Sequence, residues 1–154
     1  MIRARALLAA LAALALALPL AACGDSEQKN DYVAAVNRAQ NDLAKRFNEL
    51  QTRITPTSTP AQDRKTLTGY ETAVRRAVTD LKAVDPPKGL DDLHRRFIGD
   101  IADYGTEVRR ARERLSSGSP RDAIAAQQRL VAAVNRISTR INATISAIND
   151  KLRD

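Results

Sequence analysis

Apolar residues recur at steps of three and four along four stretches of the chain, a spacing typical of helices that bury one face. The stretches run from Val33 to Ile54, from Leu67 to Val84, from Leu90 to Leu115 and from Ile124 to Leu152. Gln40 interrupts the first stripe once. The pattern predicts an all-α chain of four helices.

Residues at the ends of the stripes indicate where helices begin. Asn30 or Asp31 is a plausible N-cap for the first helix. Thr59, Pro60 and Gln62 have the order of a capping box with proline at the first helical position. The second helix is therefore expected to begin at Pro60.

Short segments rich in proline and glycine separate the later stripes. Asp85-Pro86-Pro87-Lys88-Gly89 contains two successive prolines, which enforce an extended corner. Gly118 is placed to end the third helix, and Ser119-Pro120 repeats the order of cap and proline before the fourth. Because short connections place consecutive helices antiparallel, we expect an up-down-up-down four-helix bundle over residues 31–154.

Two glycines, Gly99 and Gly105, lie inside the third apolar stripe. An interior glycine costs about 1 kcal/mol relative to alanine in a helix. Close packing against a neighbouring helix is the usual compensation, and we expect it at both positions.

A hydrophobic leader precedes all four stripes. Arg3 and Arg5 are followed by an unbroken run of Ala and Leu from Ala6 to Leu18, and these are the parts of an export signal. The run is shorter than the roughly 20 apolar residues that a membrane-spanning helix needs, and it ends at Pro19. An uncleaved membrane anchor is therefore the less favoured interpretation.

Leu20-Ala21-Ala22-Cys23 closes the leader and contains the only cysteine of the chain. This motif resembles the lipobox of bacterial lipoprotein signal peptides. The resemblance implies that residues 1–22 are removed, that Cys23 becomes the lipid-modified N-terminus, and that residues 23–30 form a short tether. An ordinary secretory signal cut after Ala22 is the alternative, but it would leave an odd reactive thiol. We therefore expect a protein anchored by lipid at the extracytoplasmic face of the cell membrane.

The region after Cys23 is also similar to small all-helical lipoproteins of unassigned function in high-GC bacteria. The similarity is carried by the lipobox, by a composition rich in alanine and arginine, and by the Pro86-Pro87 corner ahead of Leu93-His94. It implies a helical fold and transfers no functional residue.

Basic residues exceed acidic ones, with a formal net charge of +7 that falls to +5 when Arg3 and Arg5 leave with the leader. A basic excess near a membrane is compatible with attraction to anionic lipid headgroups or to an anionic wall polymer, but charges on solvated helix faces are the favoured explanation. Nucleic-acid binding is not expected, because the protein is exported and aromatic residues are not interleaved with the basic ones.

Many acids lie four residues before an arginine. We expect most charges to form such pairs on solvated helix faces: Asp42 with Arg46, Glu71 with Arg75, Asp91 with Arg95 and Asp92 with Arg96.

Residues that could bind a cofactor are scarce. His94 is the only histidine and Met1 the only methionine, so the usual haem ligands are missing. Asp91 and His94 are three residues apart, a spacing that suits two metal ligands, but a metal site needs three or four. We predict no metal and no other cofactor.

Catalytic motifs are missing as well: the sequence has no Gly-x-Ser-x-Gly and no phosphate-binding glycine loop. We therefore predict no catalytic residues and no enzymatic activity.

The favoured hypothesis is a non-enzymatic interaction or envelope-structural module that contacts an envelope protein or an anionic wall polymer. The alternative is a carrier of a small apolar ligand or lipid, which requires an apolar cavity. Dense alternation of aliphatic residues with alanine predicts a filled core instead.

Overall fold

Four helices account for all regular secondary structure in the computed structural model, which describes residues 26–53, 55, 57–117 and 120–153. The helices are α1 (Ser26–Gln51), α2 (Pro60–Lys82), α3 (Asp91–Ser117) and α4 (Pro120–Arg153). The predicted all-α fold with four helices is confirmed. The leader of residues 1–22, Cys23, Ile54 and the predicted cap at Gly118 lie outside the described residues.

Helices that follow one another in sequence pack against each other in antiparallel pairs. Near the end of α1, the ring of Phe47 contacts that of Tyr70 in α2, with centroids 4.9 Å apart. Early in α3, the Asp100 carboxylate lies 3.4 Å from the hydroxyl of Thr144 near the end of α4. At the other end of α4, the backbone carbonyl of Leu152 accepts a hydrogen bond of 3.0 Å from the Lys29 ammonium near the start of α1. The start of α1 and the end of α4 therefore lie at the same end of the bundle.

The first and third helices run in the same direction across the bundle. Tyr32 contacts His94 near the start of both helices, and Phe47 contacts Tyr104 farther along, with ring centroids 5.5 Å and 5.2 Å apart respectively. This arrangement agrees with the predicted up-down-up-down order.

One hydrophobic cluster runs through all four helices and is mainly aliphatic. Its most deeply buried large side chains are Tyr70, Leu81, Leu90, Phe97 and Val108. Burial of such side chains contributes about 1.5–3 kcal/mol each and is the main stabilising term for the fold.

The start of α2 has the predicted capping box. The Thr59 hydroxyl accepts from the backbone N–H of Gln62 at 3.3 Å, and the Gln62 side chain accepts from the backbone N–H of Thr59 at 2.7 Å. Pro60 occupies the first helical position, where its missing N–H costs nothing.

The corner between α2 and α3 also lies where the two prolines predict it. The carbonyl of Pro87 accepts from the backbone N–H of Leu90 at 3.0 Å, which closes a tight turn. Gly89 within it has a φ of 86°, a left-handed conformation that side-chain-bearing residues rarely adopt. The turn brings Leu90 into the core, with 2% of its surface exposed.

The start of α1 differs from the prediction, because residues 26–30 are helical where we expected a tether capped at Asn30 or Asp31. Glu27 lies in the first turn, where its charge is favourable toward the helix dipole. The bond from Lys29 to α4 adds a tertiary contact within the same segment.

The two glycines of α3 differ in their surroundings. A Cβ at Gly105 would lie 3.0 Å from Cγ1 of Val74 in α2, so the predicted close packing is confirmed there. A Cβ at Gly99 would meet no atom within 4 Å, and Gly99 is exposed. Close packing at Gly99 was therefore a wrong prediction.

The ion pairs also differ from the predicted four-residue spacing, since none of the four predicted pairs forms among these described residues. Arg46 pairs with Glu49 at 3.1 Å, and Arg95 pairs with Asp92, both at a spacing of three. Glu71 instead reaches Arg112 of α3 at 2.6 Å. The pairs of Arg46 and Arg95 are exposed and worth under about 1 kcal/mol each, so small differences in side-chain packing decide between alternative partners there. The Glu71 side chain is 11% exposed, and its partner is set by the packing of α2 against α3.

Candidate functional site

Arginine is concentrated in the second half of α3 and the first half of α4. Residues 107–136 contain seven arginines, three acidic residues and no lysine. Because α3 and α4 are antiparallel neighbours, these two half-helices lie side by side. They form the end of the bundle opposite the contact between Lys29 and Leu152.

A groove of about 150 Å³ runs between these two half-helices. Buried alanines and a half-buried leucine form its floor, and charged side chains line its edges. The lining residues are Glu107, Arg110, Ala111, Arg114, Ala126, Arg129 and Leu130.

Charge in this α3–α4 groove is unbalanced. Glu107 forms an ion pair with Arg110. Arg114 and Arg129 are exposed, and no carboxylate of a described residue pairs with either of them. Two guanidinium groups therefore remain available at the edges of a narrow groove, and a guanidinium binds carboxylate or phosphate oxygens through two parallel hydrogen bonds.

A second, larger groove of about 570 Å³ lies between α1 and α2. Its floor includes small residues such as Ala39, Gly69 and Ala77. The side chains along its rim carry both signs of charge and partly neutralise one another, as in the pair of Arg76 with Asp80 at 3.8 Å. This α1–α2 groove has no strong preference for a charged ligand.

Neither groove resembles the apolar cavity that a lipid carrier requires. Both have exposed charged side chains along their edges. A site for an apolar ligand is normally enclosed and lined mainly by hydrophobic residues.

His94 is buried, with 5% of its surface exposed, and both ring nitrogens have partners. Nδ1 lies 3.1 Å from the hydroxyl of Tyr32, and Nε2 lies 3.0 Å from the carbonyl oxygen of Leu81. Burial lowers the pKa of His94, and this effect is opposed by the hydrogen bond to Leu81 and the charge of Asp91. The imidazole of His94 is therefore neutral and fully hydrogen-bonded, and it links α1, α2 and α3 in the core.

The pair of Asp91 and His94, considered for a metal, does not form a ligand set. Asp91 is exposed in the first turn of α3, whereas the His94 ring is engaged inside the bundle. Within the described part of the chain, no group of three or more His, Cys, Asp or Glu side chains could hold a metal ion.

Cys23, the predicted lipidation site, lies outside the described residues, and α1 begins three residues after it. None of the described helices is long and apolar enough to cross a membrane.

Arg114 and Arg129 were not predicted as binding residues, because the arginines were expected to form ion pairs along single helices. The high density of arginine without lysine in residues 107–136 was the available signal.

Comparisons with known proteins found no matching protein family, no similar characterised protein and no similar solved structure.

Proposed function

We propose that the protein is a lipid-anchored extracytoplasmic lipoprotein whose helical bundle is a non-enzymatic interaction or envelope-structural module. The observation that carries the proposal is the position of the only cysteine, Cys23, directly after Leu20-Ala21-Ala22 and an apolar leader. Acyl chains on that residue would hold the protein at the membrane surface, because two or more chains anchor stably where one does not.

The short distance between Cys23 and α1 supports this arrangement. Ser26, the first residue of α1, is the third residue after Cys23. Three residues span at most about 11 Å, so an acylated Cys23 would keep the start of α1 close to the bilayer. The end of α4 would lie beside it, because Lys29 bonds to Leu152.

The non-enzymatic part of the proposal is supported by the state of the chain's one histidine. Both nitrogens of His94 are engaged inside the bundle. A general base must lie within hydrogen-bonding reach of the substrate proton that it removes. His94 is therefore poorly placed to act on a bound substrate.

The anchor is tested by replacing Cys23 with Ala in the full-length chain expressed in a bacterial host. We expect the wild-type protein in the membrane fraction, with a mass that matches a chain beginning at acylated Cys23. The Cys23→Ala variant should lack the acyl mass and keep its leader. Ser26→Ala is the matched control and should behave as wild type. A wild-type chain found in the cytosol with Met1 retained and Cys23 unmodified would contradict the proposal.

A further inference from the structure

We propose that the α3–α4 groove binds phosphodiester groups of an anionic polymer in the cell envelope, on the side of the bundle that faces away from the membrane. The exposed arginines Arg114 and Arg129 provide the contacts. Each guanidinium offers a planar pair of donors that matches two phosphate oxygens.

The charges around the groove select an anion. Among the described residues that line it, Arg110, Arg114 and Arg129 accompany one carboxylate, that of Glu107, which already pairs with Arg110. An approaching phosphodiester therefore gains attraction from two cations without first breaking an ion pair. The groove is partly enclosed by α3 and α4, so the attraction is screened less than on an open surface.

The floor of the groove favours a polymer over a protein partner. Ala111 and Ala126 are buried, and Leu130 is half-buried. The residues that dominate protein interfaces are enriched in Trp, Tyr and Arg, and they lie in well-packed, fully desolvated pockets in which aromatic side chains are common anchors. The described lining of this groove has no aromatic residue, so charged hydrogen bonds would supply most of the affinity.

The position of the groove indicates whether a polymer or the membrane provides the phosphate groups, and this inference rests on the proposed lipid anchor. At 1.5 Å per residue, Arg129 lies about 35 Å along α4 from Leu152, which neighbours the start of α1. A bundle held at the start of α1 can therefore present Arg114 and Arg129 well above its own bilayer. Polymer phosphates in the envelope are within reach there, whereas headgroups of the anchoring membrane are not.

The binding experiment uses the full chain in a neutral detergent and fluorescently labelled poly(glycerol phosphate), with fluorescence anisotropy measured at low and physiological ionic strength. We expect saturable binding that weakens as salt rises. Arg114→Gln combined with Arg129→Gln should weaken binding about tenfold, as expected for the loss of two charged contacts. The combination of Arg114→Lys and Arg129→Lys should be intermediate, because the charge remains and the paired donors are lost.

The matched control replaces Arg38 and Arg96 with Gln. Both are exposed arginines outside the groove, and the change in net charge is the same. Binding by this control should stay within about twofold of wild type, and thermal unfolding should establish that every variant is folded. No binding by the wild type, or an equal loss in both double variants, would overturn the proposal.

Two experimental arms test the source of the anion. Poly-glutamate should compete at least about tenfold less well than unlabelled poly(glycerol phosphate). In a second arm the acylated protein is anchored in vesicles, and polymer binding at physiological ionic strength should stay within about twofold whether the vesicles are neutral or contain phosphatidylglycerol, because the groove lies out of reach of the anchoring bilayer. Equal competition by poly-glutamate would point to an acidic polypeptide, and loss of polymer binding in the phosphatidylglycerol vesicles would point to lipid headgroups in the groove; either result would overturn the assignment. Acylation of Cys23 is measured separately by mass, so failure of the anchor and failure of polymer binding are distinguishable.

Discussion

Tyr32 of α1 and His94 of α3 are hydrogen-bonded across the bundle, with 3.1 Å between the Tyr32 hydroxyl and Nδ1 of His94. On the other side of the ring, Nε2 lies 3.0 Å from the carbonyl oxygen of Leu81 in α2. A carbonyl can only accept, so Nε2 donates and Nδ1 accepts from the hydroxyl. Burial raises the pKa of Tyr32 to about 12, which keeps this donor protonated at neutral pH. Three helices therefore meet at one neutral imidazole.

Acidification below neutral pH should destabilise the protein through His94. Burial lowers the pKa of His94 below its ordinary value of about 6.5. The unfolded chain then binds more protons than the folded one between these two values, so the free energy of unfolding falls as the pH drops below about 6.5. We expect a lower urea midpoint near pH 5.5 than near pH 7.5, because carboxylates titrate mainly near pH 4.

The variant His94→Gln is the control for this pH dependence. It should be less stable than wild type at neutral pH, and its urea midpoint should change little between these two pH values. Since the chain has one histidine, no other imidazole can produce the effect. An unchanged or higher wild-type midpoint at the lower pH would contradict the prediction.

Removing the Tyr32 hydroxyl should cost stability because it leaves Nδ1 of His94 buried without its donor. We expect Tyr32→Phe to lower the free energy of unfolding by about 1–3 kcal/mol, measured by urea denaturation. Tyr104→Phe is the matched control, because the Tyr104 hydroxyl makes no hydrogen bond with another described residue. Equal losses of stability in the two variants would mean that the loss follows from removing any buried tyrosine hydroxyl and not from the hydrogen bond to His94.

The sequence was sufficient to predict features that depend on neighbouring residues. The four apolar stripes, the capping box at Thr59 and the Pro86-Pro87 corner each depend on a few residues close together in the chain, and all three are present in the structure. The start of α1 was placed too late, because Asn30 and Asp31 have the chemistry of a cap but lie inside a longer helix.

Contacts between distant segments could not be predicted in the same way. The buried position of His94 was not predicted, because its partner Tyr32 lies 62 residues away in the sequence. The pairing of Glu71 with Arg112 likewise depends on how α2 and α3 are rotated against each other. The α3–α4 groove has the same origin, since Arg114 and Arg129 face it only once the two helices are packed.

The two glycines of α3 should respond in opposite ways to alanine. At Gly99 a Cβ meets nothing within 4 Å, so Gly99→Ala should gain up to about 1 kcal/mol of helix propensity. At Gly105 the added Cβ would lie 3.0 Å from Cγ1 of Val74, whose branched side chain is restricted at χ1. We expect Gly105→Ala to be neutral or destabilising.

This prediction is tested by measuring the melting temperatures of the two alanine variants and of wild type. Each variant is the control for the other. Both sites are helical glycines in α3, so the propensity gain is the same and the difference reports packing against α2. An equal rise in melting temperature for both would mean that α2 and α3 separate easily enough to accept the extra methyl group.

Asp100 should contribute more to stability than Asp103, although both contact Arg140. The Asp100 carboxylate is buried, with 8% of its side chain exposed, and lies 2.8 Å from Nε of Arg140, whereas the Asp103 side chain is 58% exposed. Asp100 also accepts from the Thr144 hydroxyl at 3.4 Å. Replacing Asp100 with Asn removes the charge inside the α3–α4 interface, and we expect a loss of about 1–2 kcal/mol in the free energy of unfolding.

Asp103→Asn is the matched control and should cost less than about 0.5 kcal/mol, because water solvates both members of an exposed pair. The difference should persist in 1 M salt, since ions screen the exposed pair and hardly reach the buried carboxylate. Urea denaturation of both variants at low and high salt measures this. If Asp100→Asn lowered the free energy of unfolding as little as Asp103→Asn does, the attraction within the buried pair would only offset the desolvation of its charges. Apolar packing would then be the main interaction between α3 and α4.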